Sequence, residues 1–130
     1  MQTIDLNILE LKDGMRTLDL GCGRGRHVHQ AYYHAVGHVV GVDLGFDDVV
    51  ATREGFKQAP DMDPKSKRAY SLAVADALKL PFPDASFDRV ICSEVMEHIP
   101  DYKGALKEIA RILKPDGKFG VSVPRAFPEW

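Results

Sequence analysis

The stretch Thr17-Leu18-Asp19-Leu20-Gly21-Cys22-Gly23-Arg24-Gly25 decides how the rest of the chain is read. Leu18 and Leu20 lead into three glycines at alternate positions, and the polar segment Arg26 to His34 that follows can wind as a helix. The order is strand, tight turn, helix. Glycine suits such a turn because it tolerates positive φ and, lacking Cβ, lets a ligand lie against backbone amides. The helix aims its positive N-terminal end at the same place, so an anionic or electron-rich group is expected there.

Downstream, a first helix is expected from Arg24 to Val36, stopped by Gly37, after a first strand from Arg16 to Leu20. The run His38-Val39-Val40-Gly41-Val42-Asp43 is β-branched and nearly all apolar, as in a strand buried on both faces of a parallel sheet. Asp43 closes it 22 residues after Gly21. An acidic side chain about 20 residues past a glycine turn suits hydrogen bonds from ribose hydroxyls. The alternative is that Asp43 caps the next helix, expected from Asp47 to Gln58.

A polar loop, Pro60 to Arg68, precedes a third strand from Tyr70 to Ala75 that ends at Asp76. The segment Ala77 to Ser86 holds Pro81 and Pro83 and reads as loop. A fourth strand runs from Phe87 to Ser93. An amphipathic helix follows, with apolar Ala105, Leu106, Ile109, Ala110, Ile112 and Leu113, ended by Lys114-Pro115-Asp116-Gly117. Lys118 to Val123 reads as a fifth strand. Upstream, Met1 to Leu11 alternates loosely and Lys12-Asp13-Gly14 breaks the pattern. Strand and helix alternate five times, which implies an α/β doubly wound parallel sheet with helices on both faces. Ligands of such sheets bind beyond the carboxyl ends of the strands, where Gly21, Asp43, Asp76 and Ser93 fall.

At 130 residues the chain fits one domain. Its 45% hydrophobic and 28% charged residues are those of a soluble globular protein, and a net charge of −2 gives no pull toward nucleic acid or an anionic membrane. No apolar run is long enough to span a bilayer and the N-terminus lacks a secretory layout, so a cytoplasmic location is expected. Cys22 and Cys92 form neither a disulfide framework nor a zinc spacing, and His27, His29, His34 and His38 are too irregularly spaced to suggest a metal.

Six pieces in order, Leu18 to Gly25, Gly41-Val42-Asp43, Ala75-Asp76-Ala77, Leu80 to Asp88, Glu94-Val95-Met96-Glu97-His98 and Leu113 to Gly117, resemble the class I, Rossmann-like S-adenosylmethionine-dependent methyltransferases. The similarity covers Thr17 to Val123 and is strongest to the branch that methylates small molecules. The resemblance implies a sheet in the order 3-2-1-4-5 and S-adenosylmethionine as cofactor. It implies that Asp19, Gly21, Cys22, Gly23 and Gly25 form the turn that holds the methionine portion. Asp43 would bind the ribose with Leu44 against the adenine, Asp76 would receive the adenine amino group beside Ala77, and Ser93 would present backbone near the sulfonium. The third glycine stands two residues after the second, whereas dinucleotide turns place it three after, where this chain has Arg26. That spacing favours the methyl donor over the alternative of a nicotinamide-dependent oxidoreductase; a non-catalytic binding module is the third reading.

The family's sheet has two further strands, and here the sequence stops soon after the fifth. The expectation is a single domain over residues 1–130, either shortened at its C-terminus or covered along the fifth strand by another copy, since an open apolar edge invites association. Methyl transfer from a sulfonium needs alignment in a dry cavity and no protonation of the leaving group. A general base serves only an acceptor with a tightly held proton, and His98 is the candidate. The expected partner is a small-molecule methyl acceptor.

Overall fold

A computed structural model describes residues 6–58, 67–93 and 99–122. Strands β1 (Arg16–Leu20), β2 (His38–Asp43), β3 (Ala69–Val74), β4 (Phe87–Ser93) and β5 (Leu113–Ser122) form one sheet in the order β3-β2-β1-β4-β5. Every pairing is parallel, with Thr17 opposite both Val39 and Arg89. The expected strand order is therefore observed. Winding runs outward in both directions from β1, so the carboxyl ends of β1 and β4 flank the switch point.

Alternation along β1 sends Leu18 and Leu20 to one face, where they join Val40, Val42, Val90 and Cys92 beneath Ala105, Ile109 and Ile112 of helix α3 (Tyr102–Ile112). The other face carries Val39 and Ile91 under helix α1 (Arg26–His34), Phe56 of helix α2 (Phe46–Gln58) and the lead-in leucines 6, 9 and 11. Arg89 holds that lead-in: its guanidinium donates to Leu9 O at 2.8 Å and Glu10 O at 3.1 Å. Phe82 and Phe87 pack edge to face, with centroids 5.0 Å apart.

Three expectations need correction. Helix α1 is shorter at both ends, because Gly25 takes a left-handed conformation as its N-cap and Ala35 is extended. Ala110, counted on the apolar face of α3, is exposed. Strand and helix do not alternate five times, since β3 reaches β4 through residues 75–86 with no helix between them. An irregular crossover must find partners for its backbone groups elsewhere. Here α3 supplies them: Glu108 Oε2 accepts from Leu80 N at 2.7 Å, and Arg111 donates to Leu80 O at 3.0 Å and Phe82 O at 2.8 Å. Ala85 N and Ser86 N donate to the Arg111 and Ile112 carbonyls. The Arg111 guanidinium and the Leu80 N–H together hold the Glu108 carboxyl below its ordinary pKa.

Candidate functional site

Gly21, Gly23 and Gly25 all have positive φ, at 75°, 53° and 103°. Among the described residues a Cβ on Gly23 would meet nothing within 4 Å, so the turn opens to space there; one on Gly25 would press on His29 and Thr52 at 3.0 Å. Substitution at either is strained by its backbone, and at Gly25 by crowding as well. The turn is held from behind by α2. The fully buried Thr52 hydroxyl lies 2.8 Å from Gly23 O and 3.0 Å from Asp48 O and shares its proton between them. His29 Nε2 lies 3.0 Å from Thr52 O and donates to it.

The glycine amides of this turn are themselves engaged. Gly21 N and Cys22 N both donate to Val42 O at 2.8 Å, and Gly25 N donates to Cys22 O at 2.9 Å. Gly23 N donates to Asp43 Oδ2 at 2.9 Å. In the first turn of α1, the Val28 backbone donates to Asp19. The amides of Gly21, Cys22, Gly23, Gly25 and Val28 are thus occupied by the chain's own carbonyls and carboxylates.

Asp19 is the unusual group. It is buried in β1, and among the described residues its Oδ2 has no hydrogen-bond partner. Burial pushes its pKa up to about 7; the Val28 hydrogen bond works against that rise, and the nearby Asp43 charge adds to it. A buried carboxylate short of a partner is costly, and such groups mark places where a ligand completes the set.

At the carboxyl ends of the strands lies a cavity of about 400 Å³. Leu20, Gly21, Asp43, Leu44, Ala75, Asp76, Ala77, Leu78, Ile99 and Pro100 line it. Five of the residues singled out from sequence, Gly21, Asp43, Leu44, Asp76 and Ala77, thus meet in one place. Among the described residues the walls are apolar apart from the two carboxylates, and no Lys, Arg or His lines them. Asp43 does not act as a simple helix cap: Oδ1 accepts from Gly45 N at 2.9 Å while Oδ2 reaches back to the glycine turn. Asp76 Oδ1 accepts from Leu78 N at 2.9 Å, which folds the turn after β3. Leu44 is 69% exposed at the mouth, free to cover a flat ring.

The remaining predicted positions lie around this cavity or outside view. Gly23 and Gly25 border the turn without lining the cavity. The Cys22 side chain is buried, its Sγ 3.9 Å from the Thr52 hydroxyl, and burial pushes its thiol up to about 12; Cys92 is pushed to the same value by the same cause. Neither thiol is a nucleophile near neutral pH. Ser93 ends β4 at the rim. His98 falls outside the described residues, and Arg24 and Arg26 are exposed. Among the described residues no three His, Cys, Asp or Glu side chains converge to hold a metal. Thr52, His29, Glu108 and Arg111 were not legible as supports of the site. Only the spacing of Glu108 and Arg111, three apart on a helix, gives a signal, and it reads as a surface pair.

Comparison with known proteins agrees with this geometry. Residues 18–121 match a family described as a methyltransferase domain. A sterol 24-C-methyltransferase of Gibberella zeae is 36% identical over 116 residues, which span 85% of this chain and 28% of that protein. The 27-O-demethylrifamycin SV methyltransferase of Amycolatopsis mediterranei is 35% identical over 115 residues, 88% of this chain and 40% of that protein. The chain thus spans well under half the length of either relative. Among solved structures, the [4+2]-cyclase SpnF superposes with a TM-score of 0.79 at 27% identity, over 89% of this chain and 41% of that one.

Proposed function

Because the chain belongs to the methyltransferase-domain family, we propose that it is the cofactor-binding core of an S-adenosylmethionine-dependent enzyme that methylates a small molecule. The observation that carries this reading is the use of the turn's donors. A dinucleotide needs free amides for its pyrophosphate, and here those of Gly21, Cys22, Gly23 and Gly25 are occupied while Asp19 and Asp43 add negative charge. Such a rim suits a ligand of net positive charge over one that carries a pyrophosphate. The orphaned Asp19 Oδ2 matches an ammonium in sign, the open space over Gly23 admits a chain, and the apolar cavity between two carboxylates fits a nucleoside.

On this reading Asp19, with the turn from Gly21 through Cys22 and Gly23 to Gly25, receives the methionine portion. Asp43 accepts from the ribose hydroxyls. Leu44 and Ala77 enclose the adenine and Asp76 accepts from its amino group. Backbone at Ser93 borders the sulfonium. When bound, the group supplies a methyl on a positively charged sulfur whose leaving form is neutral. The chain's own part is to bind, align and exclude water, since no proton has to reach the leaving group. His98 is the proposed base for an acceptor with a tightly held proton. Sterol and rifamycin methylation by the relatives points to an apolar, sizeable acceptor. Among the described residues no helix is long and apolar enough to cross a membrane. Both cysteines are free and buried, which suits a reducing compartment, and we assign the protein to the cytoplasm.

The test is incubation with S-adenosylmethionine and candidate acceptors, read by mass spectrometry for the gain of one methyl group. Asp43→Ala should lose that gain together with cofactor binding. Unchanged binding by Asp43→Ala would refute the ribose assignment.

A further inference from the structure

The wall of the cavity formed by Asp76, Ala77 and Leu78 belongs to the helix-free crossover between β3 and β4. Within residues 76–86 the local bonds are few: Leu78 N to Asp76 Oδ1, Lys79 N to Asp76 O and Ser86 Oγ to Pro83 O. Among the described residues, the hydrogen bonds tying this stretch to another element all end on Glu108, Arg111 and Ile112. Arg111 does most of this. Nη2 reaches Leu80 O, Nη1 reaches Phe82 O and the Asp84 carboxylate, and Nε is oriented by Glu108 Oε1 at 2.8 Å. Leu80 itself is buried against the α3 core residues.

The other end of the same helix bears on the same cavity. Ile99 and Pro100 also line it, and Asp101, the next residue, caps α3 by accepting from Gly104 N at 3.0 Å. Two parts of the cavity wall are therefore attached to opposite ends of one 11-residue helix. A planar guanidinium with donors in a fixed fork suits holding a bare loop at a set distance, and a lysine ammonium does not reproduce it.

We propose that Arg111, oriented by Glu108, is a positioning residue that fixes the Asp76–Leu78 wall and thereby sets the width of the cavity for the nucleoside. This rests on the cofactor reading above. The test titrates parent and variants with S-adenosylmethionine and with adenosine alone, at a temperature where each variant keeps a cooperative thermal transition. Arg111→Ala should weaken both ligands by the same factor, about tenfold, because the loss lies at the nucleoside end. Amide exchange at Leu78 and Leu80 should accelerate. Arg111→Lys should recover part of the affinity, and Asp84→Ala, which removes only an exposed partner, should stay within about twofold of the parent. A folded Arg111→Ala with parental affinity for both ligands would overturn the proposal. If Arg111→Ala does not fold, Arg111→Lys and Glu108→Gln decide: about threefold weaker adenosine binding supports it, and unchanged binding overturns it. If the parent binds neither ligand, the cofactor reading falls and exchange decides alone. Faster exchange at Leu78 in the variants then supports the wall assignment, and unchanged exchange rejects it.

Discussion

Of the connections that leave this sheet at its carboxyl end, two treat their polar groups in opposite ways. Residues 75–86, after β3, form an irregular strap whose exposed acceptors and donors are met by Arg111 and Glu108. The turn from Gly21 to Gly25, after β1, is just as tightly bonded through Val42 O, Asp43 and Thr52, yet beneath it Asp19 keeps one buried oxygen with no partner among the described residues. One connection is closed by the protein itself. The other is short by one positive group. A fold that satisfies an improvised loop so fully and leaves a carboxylate incomplete in a regular strand marks the second place as the one a ligand finishes.

The largest expected effect is at Asp19. Its folded pKa of about 7 stands above the ordinary 3.8, so the folded state disfavours the ionised form. Stability from this group is intact below pH 3.8, declines as the pH rises toward 7 and is fully lost above that. At about 1.4 kcal/mol per pH unit, the ceiling of the effect is on the order of 4 kcal/mol. Asp19→Asn should therefore stabilise the ligand-free protein against urea at pH 8, and much less at pH 4, while weakening cofactor binding. A variant no more stable than the parent at pH 8 would mean that Asp19 is not short of a partner.

Asp43→Ala comes next, because it removes the proposed ribose acceptor and also frees Gly23 N and Gly45 N. Loss of such charge-assisted bonds should weaken cofactor affinity by about 2–3 kcal/mol in a calorimetric titration. Thr52→Val strips the hydroxyl that holds the turn from α2 and leaves Gly23 O unpartnered on that side. It should cost about 1–2 kcal/mol in chemical denaturation, with a smaller effect on affinity. Smallest is Asp84→Ala on the strap: the Asp84 side chain is 80% exposed, and its loss should change stability by less than about 1 kcal/mol. An effect there as large as at Asp43 would erase the contrast between the two connections.

Much of this architecture was legible before any coordinates. The apolar run at His38–Asp43 and the three- and four-residue spacing from Ala105 to Ile112 are strong patterns, and the observed elements sit on them. Gly21, Asp43 and Asp76 were placed at one rim from topology, Leu44 and Ala77 were added by the family resemblance, and all five line one cavity. What failed was anything set by tertiary partners. Helix α1 yields its ends to a left-handed Gly25 and an extended Ala35, and the loop from Ala77 to Ser86, legible from its prolines, gave no sign that α3 would serve its backbone. A row of glycines shows that amides are near, not that Val42 O and Asp43 already hold those of Gly21, Cys22 and Gly23. Asp19, one polar residue in a strand, gave no sign that half its carboxylate stands alone.

The central claim is that this rim is built for a cationic nucleoside and not for a phosphate. Side-by-side calorimetric titration of the protein with S-adenosylmethionine and with NADH at neutral pH tests it most directly. The structure predicts S-adenosylmethionine to bind more tightly by at least about tenfold, near 1.4 kcal/mol. Equal or tighter binding of NADH would contradict it.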